Sequence, residues 1–156
     1  MKRLIATAIA TVGCASALVA CSSGGHTASP ASSVSTAGGG ATVQVAGNPL
    51  AGLDPNSVTC VKQGGKIDIG SGSTGGPQQA LAVVMTDEAT PKVDSLALVV
   101  DGNALSVSNM GAKVGSANVA VDGKTYTITG QAAGADLKNP MAGMITKDFS
   151  IKVTCG

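Results

Sequence analysis

Histidine, the side chain most often used in acid–base catalysis, is scarce in this chain of 156 residues. It contains one histidine, His26, and that residue lies in a stretch rich in serine and glycine. A Ser–His–Asp or Cys–His arrangement therefore has no histidine inside a folded domain. The acidic residues show no spacing that predicts two converging carboxylates, and two domain cysteines without a nearby histidine do not make a tetrahedral metal site. We predict that the protein is not an enzyme and holds no metal.

One glycine-rich run, residues 70–75, formally matches the dinucleotide fingerprint G-x-G-x-x-G. That fingerprint also requires a βαβ unit and an acidic residue about 20 positions further on. Here Gly76-Pro77 follows the glycines, and Asp87 comes too early. We therefore interpret the run as a flexible loop and predict that the protein uses no cofactor.

Charge is also sparse, at 12% of the chain, and it forms no basic cluster. Two of the basic side chains, Lys2 and Arg3, lie in the first 20 residues, which leaves 8 Lys against 9 acidic residues in the remainder. Nucleic-acid binding depends on neutralising phosphates with grouped Lys and Arg, and adhesion to anionic lipid needs the same grouping. The composition argues against nucleic acid as a partner and against a purely electrostatic membrane contact.

The chain does carry an export signal at its start. A positive segment, Met1–Arg3, precedes an apolar run from Leu4 to Val19, which is the pattern of a secretory signal peptide. The run is too short and too rich in Ala, Gly and Thr for a membrane span, which needs about 20 predominantly apolar residues. We predict that residues 1–20 are a lipoprotein signal peptide and are removed.

The end of this run supplies the reason for predicting a lipoprotein. Leu18-Val19-Ala20-Cys21 looks like a bacterial lipobox, a motif in which the signal is cut before the cysteine and the sulfur is diacylated. We therefore predict lipidation of Cys21; an ordinary signal with a chance cysteine is the alternative. Cys14 lies in the middle of the apolar run and would be discarded with the signal.

Residues 21–41 have the composition of a flexible tether. Serine, alanine and glycine dominate, so there is too little apolar surface to offset the entropy of ordering the segment. About 20 such residues have a root-mean-square reach of ~25 Å. Ser and Thr near Pro also suit O-glycosylation, and a plain unmodified linker is equally compatible with the composition.

Residues 42–156 have the sequence pattern of a β-rich domain, in which short runs of Val, Ile and Thr alternate with turn residues. Three hairpins are predicted around Gln63-Gly64-Gly65, Asp101-Gly102-Asn103 and Asp122-Gly123, because tight hairpin turns need positive φ. We expect a single small β-sandwich or curved antiparallel sheet with short helical turns. One such turn is predicted at Asp136–Met144, with Asp136 as its cap.

Alternation predicts which faces of these strands are buried. Phe149, Ile151, Val153 and Cys155 share one face of the last strand, as Val58 and Cys60 do earlier. The remaining sets with shared faces are Tyr126 with Ile128, and Ile67 with Ile69. Two runs, Ala80–Met85 and Leu96–Val100, are apolar on both faces and are predicted to be central strands covered on both sides; a short buried helix is the alternative for the first.

The two cysteines of the domain, Cys60 and Cys155, fall on inward faces of predicted strands in an exported protein, where disulfides persist. With Cys21 acylated and Cys14 removed, one pairing is left. The bridge would close a loop of about 95 residues and, in the chain-entropy model, would stabilise the domain by ~4–5 kcal/mol. We predict a disulfide between Cys60 and Cys155.

Apolar residues are abundant, at 44%, although aromatics are nearly absent. Such a composition is typical of a core of small residues, and it would also suit a cleft that accepts an acyl chain. Met141, Met144 and Ile145 are the candidate lining of a ligand cleft, since methionine adapts to irregular surfaces. For the two methionines we favour ordinary core filling, because it is the commoner use of the residue.

The last third of the domain resembles the mycobacterial nineteen-kilodalton lipoprotein antigen family. The lipobox at Cys21, the tether and Cys60 also fall where that family has them. The segments that carry the resemblance are Tyr126-Thr127-Ile128-Thr129-Gly130, Ala132, Gly134, Asp136, Asn139-Pro140-Met141 and Phe149-Ser150-Ile151-Lys152-Val153-Thr154-Cys155. The tether holds fewer Thr than the family prototype, so the chain looks like a paralogue.

This resemblance implies a cell-envelope lipoprotein, acylated at Cys21, glycosylated in the tether and disulfide-bonded between Cys60 and Cys155. It further implies antigenicity and recognition of the acylated N-terminus by host Toll-like receptor 2. We expect a lipid-anchored protein on the extracytoplasmic face of the cell membrane, exposed at the cell surface, that acts as an antigen or interaction module. The alternative is an envelope carrier of lipid or glycolipid that uses an apolar cleft in the β domain.

Overall fold

Strands dominate the computed structural model of the chain, which describes residues 33–36, 41–50, 52–71 and 79–156. Two short 3-10 turns, Pro55–Ser57 and Pro140–Ala142, complete the regular structure. The eleven strands are β1 (Ser33–Thr36), β2 (Thr42–Val45), β3 (Asn48–Pro49), β4 (Val58–Gln63), β5 (Lys66–Ser71), β6 (Ala80–Thr86), β7 (Val93–Val100), β8 (Asn103–Ser108), β9 (Ser116–Asp122), β10 (Thr125–Asp136) and β11 (Ile145–Thr154).

All eleven strands belong to one antiparallel sheet that curls into a half-barrel. Its order is β1-β4-β5-β6-β7-β8-β10-β11-β2-β3, and β9 pairs with β10 beside this path. Five strands separate β4 from β11 in this order, yet a disulfide joins Cys60 of β4 to Cys155 just after β11. The sheet must therefore bend back on itself, which confirms the prediction of a curved antiparallel sheet.

Glycine-containing turns set the register of the hairpins, as predicted. Gly64 and Gly65 have φ of 59° and 75° between β4 and β5, and Gly102 has φ of 78° between β7 and β8. Only glycine adopts such angles without steric cost. Asp122 pairs with Thr125, so the third turn is Gly123-Lys124, one residue later than the sequence indicates.

The core lies on the concave face of the curl. Val153, Ile151 and Ile128 are fully buried there, and Cys60 and Phe149 lie in the same cluster. The alternation predicted for β4, β5, β10 and β11 is confirmed. Apart from Phe149 and Tyr126, the core side chains are small or aliphatic. Burial of many such groups therefore supplies the hydrophobic stabilisation that aromatic rings provide in other domains.

Ala80–Met85 and Leu96–Val100 are strands, as predicted, but they are not covered on both sides. Leu81, Val83 and Met85 are buried while Ala82 between them is exposed. Ala97 is likewise exposed between two buried leucines. No second layer packs against this convex face among the described residues, so the apolar side chains that point outward are small ones.

The long strand β10 accommodates two partners on one side. Its first part, Thr125–Gln131, pairs with β9, and its last part, Ala133–Asp136, pairs with β8. β9 and β10 approach each other so closely that glycine is required at the contact, because a Cβ on Gly130 would overlap the carbonyl oxygen of Ser116. The sheet therefore divides at β10, and β9 becomes a separate edge.

A helical turn does follow β10, at Pro140–Ala142, but its cap differs from the prediction. Asn139 occupies the N-cap position and makes no side-chain capping bond. Asp136 instead ends β10, and its carboxylate accepts a hydrogen bond of 2.8 Å from the backbone N–H of Lys138. β10 extends to Asp136, so this residue shapes the turn that leaves the strand and does not cap the 3-10 turn.

Four residues of the predicted tether, Ser33–Thr36, form β1 and pair with Thr59–Lys62 of β4. Serine, threonine and valine are compatible with an edge strand, although the local composition gives no strand periodicity. No helix in the described part of the chain is long and apolar enough to cross a membrane.

Candidate functional site

Cys14, Cys21 and His26 lie outside the described residues, as does the glycine run after Ser71. Acylation of Cys21 and the boundary of the signal peptide therefore stay predictions. Described structure resumes at Ala41, which is buried at the start of β2. The tether thus meets the domain beside the C-terminal part of β11, since Thr42 pairs with Lys152.

The disulfide between Cys60 and Cys155 is present, as predicted. Both cysteines are buried in the core, and their Cα atoms are 5.7 Å apart. The backbone N–H of Cys155 also donates a 2.9 Å hydrogen bond to the carbonyl of Lys124. The bridge spans 95 residues and joins β4 to the end of β11, so it closes the curl covalently.

A polar link that sequence reasoning missed lies next to the disulfide. Lys62 of β4 donates a 3.0 Å hydrogen bond to the Tyr126 hydroxyl on β10 and lies 3.2 Å from the Asp87 carboxylate. The hydrogen bond to Tyr126 raises the pKa of Lys62 above its ordinary value of 10.5; partial burial opposes this effect, and Asp87 adds to it. We call the contacts of Cys60 with Cys155 and of Lys62 with Tyr126 the seam.

Met141 and Met144 are among the most exposed large side chains, at 92% and 78% exposure. Leu137 in the same connection between β10 and β11 is 56% exposed. The core-filling interpretation of the two methionines is therefore wrong. Ile145 differs, because it is partly buried and packs against the core. The prediction that these three residues line a ligand cleft stays a prediction, and they do not line the three grooves described next.

The largest of these grooves has a volume of about 590 Å³ and is mixed in polarity. It lies between the start of β7 and the outer edge of β9. Its lining consists of Thr90, Pro91, Lys92, Val93, Asp94, Asn109, Lys113, Ala117, Asn118 and Val119. Asp94 is held by an ion pair with Lys66, and Asn109 donates a 2.7 Å hydrogen bond to the carbonyl of Val93.

A smaller groove of about 240 Å³ is mainly apolar and lies where the tether meets the domain. It is lined by Ala41, Thr42, Val43, Gln44, Pro49, Leu50, Leu53 and Pro55. The third, about 170 Å³, is bordered by Gln44, Gly47 and the Asp148–Ser150 segment of β11. The two grooves share Gln44, so both lie along β2, at the side of the sheet where the chain enters.

The carboxylates of the domain have separate local roles. Asp54 caps the first 3-10 turn through a 2.9 Å hydrogen bond from the Asn56 N–H, Asp87 pairs with Lys62, and Asp94 pairs with Lys66. In the described ranges, no three His, Cys, Asp or Glu side chains lie close enough to hold a metal ion. Neither the groove beside β9 nor the Lys62 link leaves a sequence signal, because both depend on pairing between distant segments.

Comparison with known proteins shows similarity to a family of lipoprotein antigens. The family model of the Mycobacterium 19 kDa lipoprotein antigen matches residues 34–155. A putative lipoprotein of Mycobacteroides abscessus is 60% identical over 157 residues, which cover 100% of this chain and 99% of that protein. Lipoprotein LpqH of Mycobacterium tuberculosis is 39% identical over 108 residues, covering 67% of this chain and 65% of LpqH. LpqH of Mycobacterium avium is 37% identical over the same length.

Proposed function

Because this chain belongs to the Mycobacterium 19 kDa lipoprotein antigen family, we propose that acylated Cys21 anchors it to the cell membrane. The exported β domain then acts as an antigen and interaction module on the extracytoplasmic face. The observation that carries this proposal is the order of the segments: an apolar signal, the lipobox Leu18–Cys21, a Ser/Ala/Gly-rich tether and the family domain.

The anchor is physically sufficient. A single acyl chain binds a bilayer only marginally, whereas two or more give stable attachment. Diacylation of the Cys21 sulfur, with or without acylation of its amine, meets that requirement. The family resemblance further supports recognition of this acylated N-terminus by host Toll-like receptor 2. In that case the receptor contacts the lipidated terminus, and the β domain is not needed for the signal.

Replacing Cys21 by Ala tests the anchor, and Cys14→Ala is the matched control because it removes the other thiol of the N-terminal region. We expect Cys21→Ala to move the protein from the detergent phase to the aqueous phase and to abolish receptor activation, with the Cys60–Cys155 bridge intact. Cys14→Ala should behave like wild type. A Cys21→Ala protein that still partitions with detergent and still activates the receptor would contradict the proposal.

A second candidate function, carriage of lipid or glycolipid, is supported by the 240 Å³ apolar groove at the tether entry. Ligand pockets usually enclose about 300–1,000 Å³, so this groove would hold part of one acyl chain. Leu50 and Leu53 supply apolar surface there. Because the groove lies beside Ala41, where the tether joins the domain, the proposed anchor would hold it near a bilayer and favour transfer from it.

Native mass spectrometry of the Cys21→Ala chain, purified from its own envelope, tests this second function. A carrier would retain a lipid that Leu53→Gln releases. Leu137→Gln should not release it, because Leu137 is exposed and lies outside the lining of the groove. A bare protein mass in every sample would remove the carrier function and leave the acylated Cys21 as the bearer of activity. A lipid retained equally by both variants would move the search to the Met141–Ile145 segment.

A further inference from the structure

The sheet has three free edges among the described residues, and one of them is unlike the others. The two ends of the strand order, β1 and β3, are four and two residues long, and β3 contains Pro49. Short strands and proline are common ways in which proteins keep an edge from pairing with another chain. β9, in contrast, is seven residues long and pairs only with β10.

β9 lacks the features that usually protect an edge. Its sequence, Ser-Ala-Asn-Val-Ala-Val-Asp, contains no lysine, no proline and no charge before Asp122. Every residue of the strand is exposed or half-buried, and Val121 is 42% exposed. The 590 Å³ groove runs along Ala117, Asn118 and Val119 and separates them from residues 90–94, so the outer edge of the strand borders a groove and not a paired strand.

The hairpin geometry identifies the backbone groups at this edge. Asp122 and Thr125 flank the two-residue turn and form a hydrogen-bonded pair, so every second residue back along β9 also bonds to β10. The N–H and C=O groups of Ala117, Val119 and Val121 therefore point away from β10. They form a row of donors and acceptors with the spacing that an added antiparallel strand requires.

We propose that this edge pairs with the same edge of a second copy of the chain, in a two-fold arrangement centred on Val119. An antiparallel pairing about that centre sets Val119 against Val119, and Ala117 against Val121 of the other copy. These side chains lie on the face that carries Tyr126 and Ile128, their partners across β10, so the apolar core surface continues across the dimer.

The outward-facing residues are equally self-complementary. Asn118 of one copy faces Ala120 of the other, and Ser116 faces Asp122. No like charges lie directly opposite one another, which is a condition that cross-strand pairs must meet. A one-residue slip would instead place the apolar side chains of one copy on the opposite face from those of the other, so this register is the favoured one.

The contact is small. At the ~30–40 Å² per residue typical of interfaces, seven residues on each side bury on the order of 500 Å², below the ~1,200 Å² of stable complexes. The dimer is therefore weak in dilute solution. Confinement of both copies to one membrane, which rests on the anchor proposed above, raises their effective concentration and the dimer population.

Two double variants that differ only in the sign of one exposed side chain test the pairing. Asn118→Lys/Ala120→Lys creates two opposed Lys–Lys pairs in the dimer, whereas Asn118→Glu/Ala120→Lys creates two Glu–Lys pairs. Both positions are exposed on the outer face, so neither variant disturbs the core. The full exported chain is studied in detergent by sedimentation equilibrium up to about 1 mM, a range in which weak complexes are detected, so the result does not depend on the bilayer.

We expect a wild-type monomer–dimer equilibrium, a dimer association constant at least about ten-fold lower for the Lys/Lys variant, and a wild-type or higher constant for the Glu/Lys variant. Equal constants for the two variants would overturn the register. A wild-type chain that stays monomeric throughout would overturn the dimer, and protection of the Val119 amide in the bilayer-bound monomer would then assign the edge to a foreign strand. Loss of the anchor alone leaves the solution equilibrium unchanged, which separates this test from that of Cys21.

Discussion

The seam and the outer edge of β9 lie on the same sheet and are built in opposite ways. At the seam, Cys60 is bonded covalently to Cys155, and Lys62 reaches Tyr126 at 3.0 Å. The outer edge of β9 instead borders the 590 Å³ groove, and half of the strand's backbone groups are directed away from β10. The domain thus closes one boundary of its curl firmly and leaves another unpaired among the described residues. The first stabilises the fold, and the second is the edge for which we propose pairing with a second copy.

Removal of the disulfide, which closes the seam, is expected to cause the largest loss of stability. Replacing both Cys60 and Cys155 by Ala should lower the free energy of unfolding by up to ~4–5 kcal/mol, because the bridge restricts a 95-residue loop in the unfolded chain. Denaturant titration of the oxidised wild type and the double variant measures the difference. A loss below about 1 kcal/mol, the scale of one hydrogen bond, would mean that the bridge adds little stability and that the other contacts hold the seam.

The division of the sheet at β10 is tested by adding one methyl group. Gly130→Ala places a Cβ onto the backbone of Ser116 and should cost about 3 kcal/mol, the upper end of the usual range for overpacked sites. Gly70→Ala is the control, because the nearest atom to its new Cβ is 3.8 Å away and its φ is ordinary. That control should be neutral or stabilising by about 0.5–1 kcal/mol. Equal thermal shifts in the two variants would show that β9 does not approach β10 this closely.

The Lys62 link should contribute less to the free energy of unfolding than the disulfide or the glycine at position 130. Lys62→Met removes the hydrogen bond to Tyr126 and the ion pair with Asp87, and we expect a loss of about 1 kcal/mol or less because the side chain is partly exposed. Because the folded pKa of Lys62 is raised, the stabilisation is fully present below 10.5 and is lost as pH rises through the folded pKa. The stability difference between wild type and variant should be constant from about pH 6 to 9 and shrink above about pH 10.5. A difference that changes near pH 6 would point to another group.

The smallest effect is expected on β9. Val121→Thr should change the free energy of unfolding by no more than about 0.5 kcal/mol, as is usual for exposed positions. The same change at the fully buried Val153 places a hydroxyl in the core and should cost about 1–3 kcal/mol. Thermal unfolding of the two variants gives the contrast directly. Similar losses would indicate that β9 is as well covered as the seam.

Local patterns in the sequence predict much of this fold, because hairpins and alternating burial depend on neighbouring residues. The turn glycines at Gly64 and Gly102 and the inward set ending in Cys155 are examples. The disulfide was predictable for a different reason, since few cysteines are left to pair in the exported chain. These features require no knowledge of which strands are neighbours.

The remaining features depend on long-range geometry. Lys62 and Tyr126 are 64 residues apart, and nothing local marks them as partners. β10 is divided between β8 and β9 because Ser116 approaches Gly130 closely. A glycine permits this approach, but its presence in the sequence does not predict it. Met141 and Met144 show the converse case, because their apolar character indicates burial, whereas the β10–β11 connection carries them into solvent.

If lipid on Cys21 holds this β domain at a membrane, the mass of the exported protein must include that lipid. We predict that the mature chain begins at Cys21, carries the mass of two or three acyl chains on that residue, and lacks two hydrogens because of the Cys60–Cys155 bridge. A mature chain that begins at another residue, or one whose Cys21 thiol is free, would contradict the account.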